Sequence, residues 1–488
     1  MNNFFYNVSI AIPLRQAFTY HSDKRIPLGT RVAVKFGAKL KLGIILDETK
    51  QHGMQTKPIL QVLDDEPIFS VMELNILSWA SHYYHHPIGE VCHAFLPTSL
   101  RSVKTVMSID AFPLKADFET TNFTKILSDQ QTVAVKFLLK LQGFSPTLLY
   151  GVTGSGKTEV YMRCIQEQLL QDNSALLLAP EISLTPQLEL RLKEQFGDLV
   201  VLYHSKMTPA KRYQAWKKFR RGEARVLIGT RSAAMMPAPN LGLIIVDEEH
   251  DASYKQNEGF KFSARDLAIK RAQMLKIPII LGSATPSLRT LRSVEEKKFG
   301  IIKLTKRITK QNPPKFLILD INKAILTSGL APQAIEAIAA TLQQKKQAMI
   351  FINRRGFAPQ FICANCDWRA ICNSCESSLV FHHHQDRLIC HRCDSAFGVP
   401  KHCPACSAEQ LSLIGTGTEQ LEITLQELFP KIPIYRMDKD STKKTNSMER
   451  LLDTIRDSQS SILIGTQMLI KGHDFPNLEL VVAIDVDQ

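Results

Sequence analysis

The chain has 488 residues, 44% apolar and 22% charged, with 60 Lys and Arg against 47 Asp and Glu for a formal net charge of +13. That length accommodates about three domains with real cores, and the positive excess favours a polyanionic partner. No run of about 18 apolar residues occurs, so no membrane-spanning helix is expected.

The start, Met1 to Tyr6, lacks the charged and apolar regions of a secretory signal. A reducing, cytoplasmic setting is therefore expected, and paired cysteines read as metal or redox chemistry before disulfides. Residues 1–100 read as a small β-rich module, because Phe18, Tyr20, Val32, Val34 and Phe36 alternate with polar residues. Gly37 and Gly43 punctuate these strands, Lys35, Lys39 and Lys41 lie nearby, and helical spacing follows over Val71–Tyr84. Residues 101–126 read as a linker.

From 127 the rhythm changes. Short apolar runs at 147–150, 175–178, 199–203, 226–228, 243–246 and 277–281 alternate with helical segments. That alternation predicts βαβ units and a parallel sheet over 127–310. A second series, 348–352, 432–435, 462–464 and 480–484, predicts another α/β lobe over 311–362 and 407–488. A cysteine block at 363–406 interrupts it.

Gly151-Val152-Thr153-Gly154-Ser155-Gly156-Lys157-Thr158 is a complete GxxxxGK[ST] loop between a predicted strand and a predicted helix. Its backbone N–H groups and the helix N-terminus suit phosphate oxygens. Lys157 is expected on the β- and γ-phosphates of ATP and Thr158 on Mg²⁺. Leu243–Val246 followed by Asp247-Glu248-Glu249-His250 reads as the partner element. There Asp247 holds Mg²⁺, and Glu248 orients and deprotonates the attacking water. Gly282-Ser283-Ala284-Thr285-Pro286 follows another strand and can couple nucleotide to nucleic acid.

Eight of the ten cysteines form four CxxC pairs: Cys363/Cys366, Cys372/Cys375, Cys390/Cys393 and Cys403/Cys406. Zn²⁺ takes four thiolates, so two closed Cys₄ sites of structural Zn²⁺ are expected, with redox dithiols the other reading. Spacing alone does not fix the pairing. Cys92 and Cys164 read as buried small apolar residues, and His382–His384 and His391 as surface histidines.

A P-loop, a DEEH box and an SAT loop in that order resemble superfamily-two helicases, DEAD/DEAH-like. Longer strings are similar to the PriA family of replication-restart DNA helicases. They are Pro180–Gln187, Gly229-Thr230-Arg231-Ser232-Ala233, Asp247–Gln256, Ala264–Ala268, Asn353–Pro359, Gly465–Met468 and Lys471–Pro476. The resemblance implies two RecA-like P-loop lobes with a double-zinc insertion, preceded by a β-rich DNA-binding domain. It implies an ATP-dependent 3′→5′ helicase that recognises stalled forks and begins primosome assembly. Expected partners are forked and single-stranded DNA, single-stranded-DNA-binding protein and other primosome proteins.

Residue by residue, the resemblance places Gln131 on adenine. It places Gly229, Thr230 and Arg231 on DNA from the first lobe, Arg354 on DNA from the second, and Gly465, Thr466 and Gln467 on both DNA and nucleotide from the second. Tyr83–Val91 matches a module that captures DNA 3′ ends, with Lys35–Lys41 and Phe36 its best local candidates; protection of a strand edge is the other reading of those lysines. The resemblance also implies an outer zinc site, Cys363, Cys366, Cys403 and Cys406, enclosing an inner one, Cys372, Cys375, Cys390 and Cys393.

Two departures accompany this likeness. Residues 101–126 are too few for the family's winged helix, and no Gln-x-x-Gly-Arg-x-Gly-Arg string follows Gln467. The expectation is a motor whose turnover is reduced, or a fork-binding chain without turnover.

Overall fold

The computed structural model describes residues 4–50, 56–105, 118, 123–180, 186–308, 314–321, 325–352, 360–363, 365–366, 368–382, 387–390, 393, 395–409, 411–414, 418–437, 447–465 and 475–484. Most of the expected linker, and Arg354, Thr466, Gln467, His383, His384 and His391, lie outside these residues. The chain forms two compact units, Met1–Asn312 and Pro313–Gln488. No helix among the described residues is long and apolar enough to cross a membrane.

The first unit begins with five strands, β1 (Phe4–Ile10), β2 (Phe18–Ser22), β3 (Arg31–Phe36), β4 (Lys39–Thr49) and β5 (Lys57–Val62). They close into a barrel ordered β1-β2-β5-β3-β4. The alternation seen in sequence puts Tyr6, Val8, Tyr20, Val32, Val34 and Ile45 inside it. Lys35 and Lys39 flank the tight β3–β4 turn, where Gly37 has φ +59°. Because the barrel is closed, these lysines guard no open edge.

Two helices follow, α1 (Val71–Tyr83) and α2 (Ile88–Ala94). Ser70 and Glu73 form a reciprocal capping box at the start of α1. Leu74, Ile76, Leu77 and Ala80 on α1 share one hydrophobic cluster with Trp216, Phe219, Met235, Leu267 and Ala268 of the following α/β lobe. The Arg220 guanidinium donates to the carbonyls of Ile68 and Pro67. The N-terminal module thus owns its barrel core, but its helical half shares a core with its neighbour.

That neighbour is built from α3 (Asp129–Leu138), β6 (Pro146–Gly151), α4 (Lys157–Leu170), β7 (Ser174–Leu178), α5 (Pro186–Phe196), β8 (Val200–Tyr203), α6 (Pro209–Arg220), β9 (Val226–Gly229), β10 (Leu241–Val246), α7 (Ala264–Leu275), β11 (Ile279–Ser283), α8 (Leu288–Glu295) and β12 (Gly300–Leu304). Its seven strands lie in the order β12-β6-β11-β10-β7-β9-β8, every pair parallel. Strands covered on both faces are continuous apolar runs, and β7 is buried at all five positions. β11 lies between β6 and β10, so three loops meet at one sheet edge: the P-loop, the DEEH box and the SAT loop.

The second unit carries α9 (Pro332–Gln343), β13 (Gln347–Ile352), β14 (Gln360–Cys363), β15 (Val380–His382), β16 (Arg387–Ile389), β17 (Ala396–Gly398), β18 (Leu411–Ile414), α10 (Thr418–Leu428), β19 (Ile434–Met437), α11 (Ser447–Asp457), β20 (Ile462–Gly465) and β21 (Leu478–Ile484). β19-β20-β13-β21 form a parallel sheet. The cysteine block enters between β13 and α10 as an antiparallel sheet ordered β17-β16-β15-β14-β18.

Candidate nucleotide site, strand-contact loop and metal centres

The P-loop leaves β6 at Gly151 and enters α4 at Lys157, with Gly154 at φ +79° and Gly156 at φ +75°. Those left-handed angles suit glycine and turn successive N–H groups toward one concavity. Val152 N–H donates to Leu304 O, which ties the loop to β12. Thr153 is exposed and Thr158 half-buried in the first turn of α4. Lys157 Nζ donates to Gly151 O at 3.1 Å and lies 3.5 Å from Glu248 Oε1. Ser155 Oγ is buried with no hydrogen-bond partner. A buried orphan hydroxyl beside a parked lysine fits a cradle built for phosphate oxygens.

Gln131 is 1% exposed. Its amide nitrogen donates to the carbonyls of Ser155 and Gly156 at 3.1 and 3.2 Å, and its amide oxygen caps Ser128 N–H. In this arrangement the side chain expected on adenine braces the P-loop from behind.

Asp247 and Glu248 follow β10 at the same sheet edge. Burial first, then the Glu248 carboxylate, push Asp247 up to about 6; the Tyr161 hydrogen bond and the Lys157 charge act the other way. Tyr161 Oη donates to Asp247 Oδ1 at 2.8 Å. Burial and the nearby Asp247 hold the Tyr161 phenol protonated, well above its ordinary range. A Cβ on Gly282 would lie 1.6 Å from that hydroxyl oxygen, so only glycine admits the contact. Tyr161 was not singled out from sequence, although it stands one helical turn after Lys157 and so shares its face of α4.

Glu248 adopts φ +45°, uncommon for a residue with a side chain. One carboxylate oxygen faces Lys157, and the other lies 3.7 Å from His250 Nδ1. His250 Nδ1 is 2.8 Å from Ser283 Oγ, and its Nε2 is 3.3 Å from Thr285 Oγ1. A continuous polar chain therefore runs from the P-loop lysine through the DEEH box into the SAT loop. Glu249 points the other way and is 2% exposed. It accepts from Arg265 Nη1, Ser287 N–H and Thr290 Oγ1 at 2.8, 2.7 and 2.9 Å. Tyr254 Oη donates to Leu178 O and Asp247 O at 3.0 and 2.6 Å, stitching two strand ends together. Neither Glu249 nor Tyr254 had been given a role from sequence.

Gly229 ends β9, Thr230 is buried with its N–H on Tyr203 O, and Arg231 Nη1 donates to Lys255 O at 2.9 Å. Of the second-lobe residues expected on DNA, only Gly465, the last residue of β20, is among those described.

The eight cysteines gather as Cys363, Cys366, Cys403, Cys406 and as Cys372, Cys375, Cys390, Cys393. In the first set Cys363–Cys406 and Cys366–Cys403 sulfurs lie 3.6 Å apart. In the second, Cys372–Cys393, Cys375–Cys390 and Cys375–Cys393 lie 3.5, 3.3 and 3.7 Å apart. A tetrahedral ion with Zn–S of about 2.3 Å sets sulfurs about 3.8 Å apart, so both sets could hold Zn²⁺. Each pair sits in the same backbone turn: the N–H of Cys363, Cys372, Cys390 and Cys403 donates to the carbonyl of Trp368, Ser377, Ser395 and Ala408. Backbone N–H donors at Ser377 and Ala408 lead in pulling the Cys375 and Cys406 thiols down to about 6, which favours the ligating thiolate. Cys92 and Cys164 are buried among apolar side chains, which push both thiols up to about 12.

Comparison with known proteins defines the family. A DEAD/DEAH box helicase family matches residues 128–294, which makes the first α/β lobe a helicase domain. The 3′DNA-binding domain (3′BD) family of PriA matches residues 7–97. The replication restart protein PriA of Haemophilus influenzae is 35% identical over 556 aligned residues, covering 98% of this chain and 76% of that protein. The Bacillus subtilis protein of the same name is 37% identical over 367 residues, covering 74% of this chain and 46% of its own length. A crystal structure of the helicase MrfA bound to DNA aligns with 73% of this chain and 44% of its own at 16% identity and a TM-score of 0.44. The chain belongs to the PriA family of replication restart proteins.

Proposed function

We propose that the chain is an ATP-driven 3′→5′ DNA helicase that recognises stalled forks by a DNA 3′ end and opens the way to primosome assembly. The observation that carries this reading is the polar chain from Lys157 through Glu248 and His250 to Ser283 and Thr285. It lies in the same compact unit as the module that matches a 3′DNA-binding domain. The names of the relatives supply replication restart.

In this reading Lys157 leaves Gly151 O for the β- and γ-phosphates, the P-loop N–H groups and Ser155 receive phosphate oxygens, and Thr158 and Asp247 hold Mg²⁺. That ion supplies charge neutralisation for the transferring phosphoryl group. Glu248, released from Lys157, turns to the attacking water and accepts its proton. His250 reports that movement to the SAT loop, which lies on the path to the bound strand. Gly229, Thr230 and Arg231 contact DNA from the first lobe, and Arg354, Gly465, Thr466 and Gln467 from the second. Gln131 keeps the P-loop in register and reaches adenine only by giving up its two carbonyls. The two Cys₄ centres hold structural Zn²⁺ and present a surface to single-stranded-DNA-binding protein and primosome proteins, in the cytoplasm.

The test is ATP hydrolysis with no DNA, with blunt duplex, and with forks that do or do not expose a leading-strand 3′ end. Turnover stimulated most by the 3′-end fork, and lost in Lys157→Ala, is the expected result. Equal stimulation by blunt duplex overturns fork recognition. Fork binding without turnover in either protein overturns the motor.

A further inference from the structure

Away from the nucleotide, a cleft of about 560 Å³ opens between the N-terminal module and the helicase lobe. Its size is that of small-ligand clefts, roughly 300–1,000 Å³. One wall comes from the N-terminal module, with His86, His93 and Arg101; the other comes from the lobe, with Arg212, Arg231 and Ser232. Phe95, Phe260 and Phe262 form its aromatic floor, the last two stacked at 4.9 Å.

The two arginines are fixed. Arg101 Nε and Nη2 donate to the carbonyls of Leu96 and Ala94 at 2.9 and 3.0 Å. Arg212 Nη2 donates to Tyr203 Oη at 3.2 Å, with its guanidinium over the Tyr203 ring. Neither has an acidic partner among the described ion pairs. Burial first, and then the charge of Arg212, lower the pKa of Arg101, so the two cations feel each other across the cleft. Burial, and then the charge of Arg101, lower the pKa of His93. Arg212 Nε and Ser232 Oγ are buried and lack any hydrogen-bond partner. Two carboxylates also line the cleft; Glu90 Oε2 lies 2.8 Å from His86 Nε2, and Glu258 is exposed. Two cations, one held by backbone carbonyls and one by a tyrosine hydroxyl and ring, beside two orphan donors, suit an anion.

We propose that this cleft is a clamp for a DNA strand, in which Arg101 of the N-terminal module and Arg212 of the helicase lobe hold the phosphodiester backbone, with Ser232 Oγ as a further donor. The proposal rests on the reading of the chain as a DNA helicase. It adds that the strand-binding surface begun by Thr230 and Arg231 is completed by the N-terminal module. A strand engaged by the motor therefore runs beneath that module, and the two domains read one backbone together.

The experiment is fluorescence anisotropy of a labelled oligothymidylate over a series of KCl concentrations, with the full chain. Arg101→Gln and Arg212→Gln are each expected to weaken binding about tenfold. Each should flatten the slope of log K against log salt by about 1, and the double variant by about 2. Ala11→Glu brings a carboxylate to the lining of the cleft while leaving both guanidinium contacts in place, and weakens binding without unfolding. Lys140→Gln, exposed and away from the cleft, leaves the slope unchanged. Parent-like affinity and slope in the double variant overturn the proposal, as does an equal loss in Lys140→Gln. Loss of affinity for free thymidine monophosphate without loss for the oligomer overturns it in favour of a mononucleotide site. Failure of the parent chain to bind any oligomer overturns the helicase reading together with this one.

Discussion

The nucleotide site and the zinc insertion hold reactive groups in place by opposite means. In the helicase lobe the inner strands β6, β7, β9, β10 and β11 are almost wholly buried, and clusters of Leu, Ile, Val and Phe surround them. Asp247, Tyr161 and Glu249 are placed by that packing before any ligand arrives. Among the described residues the insertion has one small cluster, in which Cys372 and Cys390 are themselves members beside Ala370, Leu379, Phe381 and Leu388. So few apolar side chains cannot offset the entropy of ordering such a segment. In the lobe the core positions the site; in the insertion the site supplies the core.

The largest effect expected from this contrast is metal removal. A strong chelator should release about two Zn²⁺ per chain and abolish amide-exchange protection in β14–β18, with β6–β12 still protected. Structural Zn²⁺ contributes roughly 10–16 kcal/mol to such folding. Recovery of fewer than about one ion by metal analysis breaks the comparison. Next in size is Arg31, fully buried with Asp64 at 2.6 Å and also donating to Leu100 O and Thr105 O. Arg31→Ala strands the Asp64 carboxylate in the interior and should cost about 3–5 kcal/mol in urea unfolding. A cost below about 1 kcal/mol would show that this buried pair is not needed to hold the N-terminal module.

Smaller effects separate positioning from stability inside the lobe. Tyr161→Phe removes only the hydrogen bond to Asp247; turnover should fall about tenfold while stability changes by about 1 kcal/mol. Unchanged kcat would remove Tyr161 from the site. His250→Ala leaves Lys157, Asp247 and Glu248 intact. Turnover without DNA should stay within about threefold of the parent while stimulation by DNA is lost, a split that a merely structural role would not give. Retained stimulation breaks the link between the DEEH box and the SAT loop.

Much of this was legible in sequence because the chemistry is contiguous. Gly151–Thr158, Asp247–Glu248 and the four CxxC turns each lie within a few residues, and the strand runs beneath them fall where apolar periodicity put them. What escaped depends on pairs distant along the chain. Glu249 meets Arg265, Ser287 and Thr290 only because β10 and β11 are neighbours. Helical spacing over Val71–Tyr84 announces a buried face without naming what buries it, so the core shared with Trp216 and Phe219 was invisible. Gln131 was placed on adenine by resemblance alone; that its amide is spent on the Ser155 and Gly156 carbonyls follows from the fold of the P-loop.

The two cysteine sets are nested, the pairs 363/366 and 403/406 lying outside 372/375 and 390/393 along the chain. Nesting imposes an order of assembly. The inner set closes a short loop, and once closed it draws the outer pairs together, so the entropy of closing the second loop is already reduced. Metal loading of the apo chain should therefore be ordered in time, with the inner ion entering first and the outer ion sealing the insertion at its base.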